Sequence, residues 1–121
     1  MRSLLHIVYY TNIGSRRCPI KVVGRNKTER VRALLCLLYF FPTKKVLGLK
    51  GGQLINDYRG LRVRWSKRKL FWLPIEVLPL VECLFKFRPG QLFFKDFDKD
   101  SVRYLSKKWL GVNPKELRKR V

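Results

Sequence analysis

The chain has 121 residues, with 28 Lys and Arg against 8 Asp and Glu, a formal net charge of +20, and 46% hydrophobic content that includes 13% aromatic residues. That length accommodates one hydrophobic core and not two, and the apolar content excludes a disordered basic tail. Charge of this size opposes compaction by self-repulsion and is relieved by a polyanion, so nucleic acid is the expected partner. A membrane surface is the weaker rival, because the cations are spread along the chain and not gathered beside an apolar anchor.

In chain order, Leu4 to Tyr10 and Pro19 to Val23 are β-branched or aromatic runs separated by Thr11-Asn12-Ile13-Gly14. They predict a β-rich extension over residues 1–25. The opening residues lack the long apolar stretch and small-residue cleavage site of a signal peptide. Asn26 followed by Glu29 has the spacing of a capping box, and Pro42 is a stop, so Lys27 to Phe41 is expected as a helix. Its second half, Leu34 to Phe41, is the longest apolar run. At eight residues it is too short for a membrane span, which needs about 20. It belongs in the middle of the fold.

A Lys44-Lys45 turn follows, and Gly51-Gly52 marks a bend or a close backbone approach. Leu61-Arg62-Val63-Arg64-Trp65 alternates apolar and basic residues, Ser66-Lys67-Arg68-Lys69 is a polar break, and Leu70 to Ile75 resumes as strand. This pattern predicts a hairpin with a basic tip, one face on the core and one cationic face outward. Glu76 to Phe87 is expected as a helix with Pro79 near its first turn, Pro89-Gly90 as a turn and Gln91 to Phe94 as a short strand. Ser101 can cap a helix to about Leu110, and Asn113-Pro114 opens a last helix. The whole is expected as one compact α+β domain over 1–121, its core at 26–121 built from an apolar central helix, a basic hairpin and C-terminal helices.

The hairpin carries the best local functional signal. Arg62, Arg64, Lys67, Arg68 and Lys69 fall close together, and arginine forks and lysine point charges both bind phosphates. The plainer alternative is a solvated strand whose charges discourage edge pairing. Trp65 could stack on an unpaired base, but its alternation with the cations favours a place in the core. A second cationic cluster runs through Lys107, Lys108, Lys115, Arg118, Lys119 and Arg120. On a helix starting near Pro114, Lys115, Arg118 and Lys119 share a face, while Lys119 and Arg120 are equally compatible with a frayed terminus.

Asp96, Asp98 and Asp100 alternate as at the start of a calcium loop, but the loop's Gly and distal Glu are missing. A turn with helix-capping carboxylates is the better reading. His6 is the only histidine, and Cys18, Cys36 and Cys83 form no C-x-x-C pair. This argues against structural zinc and for reduced thiols in an intracellular protein. There is no phosphate-binding glycine loop and no acid/base pair. Neither a cofactor nor a metal is expected.

From Glu29 to Arg120 the order of elements resembles the catalytic domain of the tyrosine recombinases, the phage-integrase superfamily. An apolar helix leads through Phe41-Pro42-Thr43-Lys44-Lys45-Val46-Leu47-Gly48-Leu49, in the place of the family's Thr-Gly-Leu-Arg-x-x-Glu-Leu-x-x-Leu turn. The hairpin tip Ser66-Lys67-Arg68-Lys69 stands where the family carries a catalytic lysine. Leu73-Pro74-Ile75 matches its apolar-Pro-apolar motif, Gln91-Leu92-Phe93-Phe94 a short Leu-Phe segment, and Lys115-Glu116-Leu117-Arg118 its His-x-Leu-Arg. The resemblance implies DNA binding, with Lys67 or Lys69 in the lysine position, Lys115 in place of the histidine and Arg118 as the second arginine. The first arginine aligns near Pro42, so Lys44 or Lys45 would replace that clamp. The sequence ends three residues after Arg118, before the family's nucleophilic tyrosine. Strand cleavage by this sequence alone is therefore not expected, and a second chain could complete the site.

The expected function is nucleic-acid binding, with DNA favoured and a cytoplasmic or nucleoid-associated setting. The expected contacts are Lys44, Lys45, Arg62, Arg64, Lys67, Arg68, Lys69, Lys115, Arg118 and Lys119. The alternative is a structural RNA-binding protein of a ribosome, including an organellar one, or of a similar particle. A scaffold binding an acidic protein is a third reading.

Overall fold

A computed structural model of the chain describes residues 27–117. The expected extension at 1–25, with His6 and Cys18, the cap Asn26, and the terminal Arg118, Lys119 and Arg120 lie outside the described residues.

Helix α1 spans Lys27–Leu37. From Ala33 through Tyr39 every residue is buried, so this segment is surrounded by protein as its all-round apolar sequence requires. The helix ends earlier than expected. After Leu37 the chain closes in a turn where Tyr39 N–H reaches Cys36 O and Phe40 N–H reaches Leu37 O at three-residue spacing while Phe41 N–H keeps four to Leu37 O. Pro42 drives the residue before it out of helical geometry. The expected Lys44-Lys45 turn is instead a short helix, α2, Thr43–Leu47, with Pro42 extended just before it. Proline is compatible with that place, where the backbone donor it lacks would find no partner inside the helix. Val46 is buried while Lys44 and Lys45 are exposed.

Gly51 is a close approach. A Cβ there would stand 2.0 Å from the Arg88 carbonyl oxygen, and its N–H donates to Gln91 O. Lys50 bridges to Leu92 and Gly51 to Pro89. The strand expected at Gln91 to Phe94 is reduced to that one bridge at Leu92. Gly52 and Gly90, both at positive φ, turn the two segments at the end of this short pairing.

The sheet has three antiparallel strands in the order β1-β2-β3, with β1 at Leu54–Asp57, β2 at Gly60–Arg64 and β3 at Leu70–Trp72. The predicted hairpin is β2–β3. Strand β1 was not expected, since Asn56-Asp57-Tyr58-Arg59 is a turn-like sequence. Its register pairs Leu54 with Val63, Ile55 with Arg62 and Asp57 with Gly60. Leu54, Leu61 and Val63 turn to the core.

The single helix expected at Glu76 to Phe87 is broken into a 3-10 turn at Ile75–Val77, helix α3 at Leu78–Val81 and a 3-10 stretch at Glu82–Lys86. Pro79 supplies no donor to the preceding turn, which interrupts the ladder. The apolar face survives the break. Val77, Leu80, Val81 and Leu84 are all buried at helical spacing, and Leu78–Val81 and Glu82–Lys86 pack on α1.

Helix α4 spans Lys99–Leu110 and is capped by Asp98, not Ser101. The Asp98 carboxylate accepts from the Ser101 N–H at 2.7 Å and its hydroxyl at 2.9 Å. The helix ends on Gly111 at φ 75, a left-handed closure suited to glycine. Helix α5, Pro114–Leu117, starts with proline as expected. Val102, Leu105, Trp109 and Leu110 bury one face of α4, and Phe93, Phe94 and Phe97 fill the core edge to face. Among the described residues no helix is long and apolar enough to cross a membrane.

Candidate nucleic-acid interface

The tip of the β2–β3 hairpin is closed by Trp65 N–H to Lys69 O at 2.8 Å and by Lys69 N–H to the Ser66 hydroxyl at 3.2 Å. This closure leaves Arg64, Lys67, Arg68 and Lys69 exposed. Trp65 packs inward, its ring 5.0 Å from that of Phe41 and capped by Lys45 Nζ at 5.2 Å. It takes the core role. Lys45 therefore stands beside the base of the hairpin tip, and α2 is docked there.

Arg62 departs from the expected cationic face. Its side chain is only 6% exposed. Nη1 and Nη2 donate to the two Asp57 carboxylate oxygens at 2.9 and 3.0 Å, and Nη1 also donates to Gly60 O at 3.2 Å. The indole of Trp72 covers it, 5.3 Å from the guanidinium carbon. The bond from Arg62 holds the Asp57 carboxyl well below the ordinary carboxylate range, helped by the Arg59 backbone N–H. A guanidinium so occupied is not available to a phosphate, and Arg62 is removed from the contact set.

A second cationic surface was only partly foreseen. Lys99, Arg103 and Lys107 recur every four residues along one edge of α4 and, with Thr43, Asn113, Pro114 and Lys115, line a cleft of about 430 Å³. The cleft wall contains four cations and no carboxylate. Lys107 and Lys115 belonged to the predicted C-terminal cluster, whereas Lys99 and Arg103 did not. Their four-residue period along the edge of the helix's buried face was the signal that could have found them. Thr43 opens α2, so this helix joins the cleft at one end to the hairpin through Lys45. Arg118 and Lys119 lie outside the described residues.

Several of the carboxylates are placed away from these cations. Asp57 holds Arg62, Asp96 pairs with the buried Arg30 at 2.7 Å, Asp98 caps α4, and Glu29 and Glu82 line a separate hollow. None of Arg64, Lys67, Arg68, Lys69, Lys99, Arg103, Lys107 or Lys115 has a carboxylate partner among the described residues.

The described thiols are not poised as nucleophiles. Burial pushes Cys36 up to about 12 and, with Glu29 nearby, Cys83 up to about 11, so neither ionises near neutrality. Among the described residues no group of three His, Cys, Asp or Glu could hold a metal. No protein-family model, no curated protein and no solved structure matches the chain.

Proposed function

We propose that the chain binds nucleic acid through two cationic surfaces joined by α2: the hairpin tip with Arg64, Lys67, Arg68 and Lys69, and the cleft with Lys99, Arg103, Lys107 and Lys115. The observation that carries this reading is the lack of carboxylate partners for all eight cations among the described residues, where Asp57, Asp96 and Asp98 are committed to internal bonds. Open cations of this density attract phosphates and release their counterions. The three α4 cations span about 12 Å, the axial length over which one duplex strand carries three to four phosphates.

DNA is the favoured partner, and the finer reading is a recombinase-like DNA-binding domain. Its support is that Thr43, next to the position of the family's first arginine, and Lys115, at the position of its histidine, line one cleft. Lys44, Lys45 and the lysines of the tip stand along the same path. Strand cleavage forms no part of the proposal.

Two sets of variants test it. Changing Arg64, Lys67, Arg68 and Lys69 to Gln is expected to weaken duplex binding several-fold and to make its salt slope shallower by about 0.9 for each phosphate that the variant no longer neutralises. Changing Lys99, Arg103, Lys107 and Lys115 to Gln is expected to do the same independently. Unchanged binding by both sets overturns the proposal. A marked preference for structured RNA over duplex DNA overturns the recombinase-like reading and leaves the ribonucleoprotein alternative.

A further inference from the structure

We propose that the outward face of the three-stranded sheet stacks an unpaired nucleic-acid base on Trp72. This rests on the reading that the chain binds nucleic acid, and it names the form of ligand that this face takes. The register puts Asp57, Gly60, Arg62, Arg64, Leu70 and Trp72 on one face. Trp72 is 52% exposed and Leu70 46%, so two large apolar side chains at alternate positions of β3 stand together at the surface of this face.

Among the described residues the indole rests on Gly60 and Arg62. A Cβ at Gly60 would stand 3.4 Å from its Cζ3 atom, so the ring lies against the bare Cα of that glycine. The Arg62 guanidinium completes the support at 5.3 Å. Arg62 is in turn fixed by three hydrogen bonds, two to Asp57 and one to Gly60 O. The buried arginine thus braces the aromatic ring, which loses little freedom when a second ring stacks on it. Tyr58, 93% exposed at the β1–β2 turn, is a second aromatic at the same end of the sheet.

Charge decides between a base and an apolar peptide. The one carboxylate on this face, Asp57, is occupied by Arg62, and Arg64 and the hairpin tip add unpartnered positive charge beside it. From Lys69 to Trp72 the strand advances about 10 Å. A backbone gripped at the tip can therefore deliver a nearby base onto the indole, and base stacking on an aromatic requires an unpaired nucleotide. The same surface would take single-stranded DNA or RNA.

The test compares wild type, Trp72→Leu and Trp72→Phe for binding to labelled single-stranded DNA, the same strand with abasic positions, RNA of the same sequence, and duplex DNA. Circular dichroism checks that each variant is folded. Trp72→Leu is expected to weaken single-strand binding about tenfold, with Trp72→Phe closer to wild type. Duplex binding stays unchanged, and the abasic strand shows no penalty. The larger penalty between DNA and RNA identifies the strand preferred. Equal loss on duplex and single strand, or no loss, overturns the stacking site while leaving the cationic reading intact. Binding of none of the four by wild type overturns both, and a preference for an acidic peptide that disappears with Trp72 overturns the base as occupant.

Discussion

Two residues apart on β2, Arg62 and Arg64 leave the same sheet face, yet only Arg64 meets solvent. The difference comes from the neighbouring strand. The β1–β2 turn carries Asp57 back within 2.9 Å of Arg62, whereas no carboxylate reaches Arg64 among the described residues. Alternation in the sequence specified which side each arginine takes, but a partner supplied by β1, itself unforeseen, was not legible. The pair has a pH signature. A depressed carboxyl contributes its stabilisation fully above about pH 4 and loses it as pH falls through the lowered folded value. The thermal midpoint of the wild type is expected to drop on acidification below about pH 4. In Asp57→Asn the midpoint is lower near neutrality and its fall across that acidic window smaller, though not abolished, because Asp98 is lowered too by its bonds from Ser101. Equal acid dependence in both proteins, measured by thermal melts across pH, would show that Asp57 is not linked to folding.

At the scale of elements, the segments read correctly are those whose pattern is local. The apolar run ending in Pro42, the alternating hairpin with its polar break, and the proline opening α5 each carry their own signal. The misreadings arose where distant contacts or a proline decide. Glu76 to Phe87 has a continuous helical apolar face but not a continuous hydrogen-bond ladder, and Gln91 to Phe94 pairs only with the short segment Leu49 to Gly51. Gly51 shows how specific that meeting is. Gly51→Ala forces a methyl against the Arg88 carbonyl and is expected to cost about 1–3 kcal/mol or more. Gly48→Ala, whose Cβ meets its nearest atom at 3.5 Å at φ −90, is expected to be neutral or to stabilise by about 0.4–1 kcal/mol. Chemical denaturation of the two variants checks the contrast. A small cost at Gly51 would mean that the bridge between Lys50 and Leu92 does not hold its position.

For the whole molecule, the net charge of +20 was the most legible property, and the structure adds its distribution among the described residues. Folding uses Asp57, Asp96 and Asp98 for internal bonds and leaves the hairpin and α4 cations facing outward. The two internal ion pairs leave the net charge unchanged and free the hairpin and α4 cations of carboxylate partners among the described residues. Only part of the candidate site was legible. The tip was read from consecutive residues, whereas the cleft required helices α2, α4 and α5 to meet. The central claim, that these cations exist to bind phosphates, is tested most directly by titrating salt against binding of the wild-type chain to labelled duplex DNA. A linear fall of log affinity with log salt, steeper than about −3.5 for four or more neutralised phosphates, is the predicted result. Affinity independent of salt, or absent even at low salt, would contradict it.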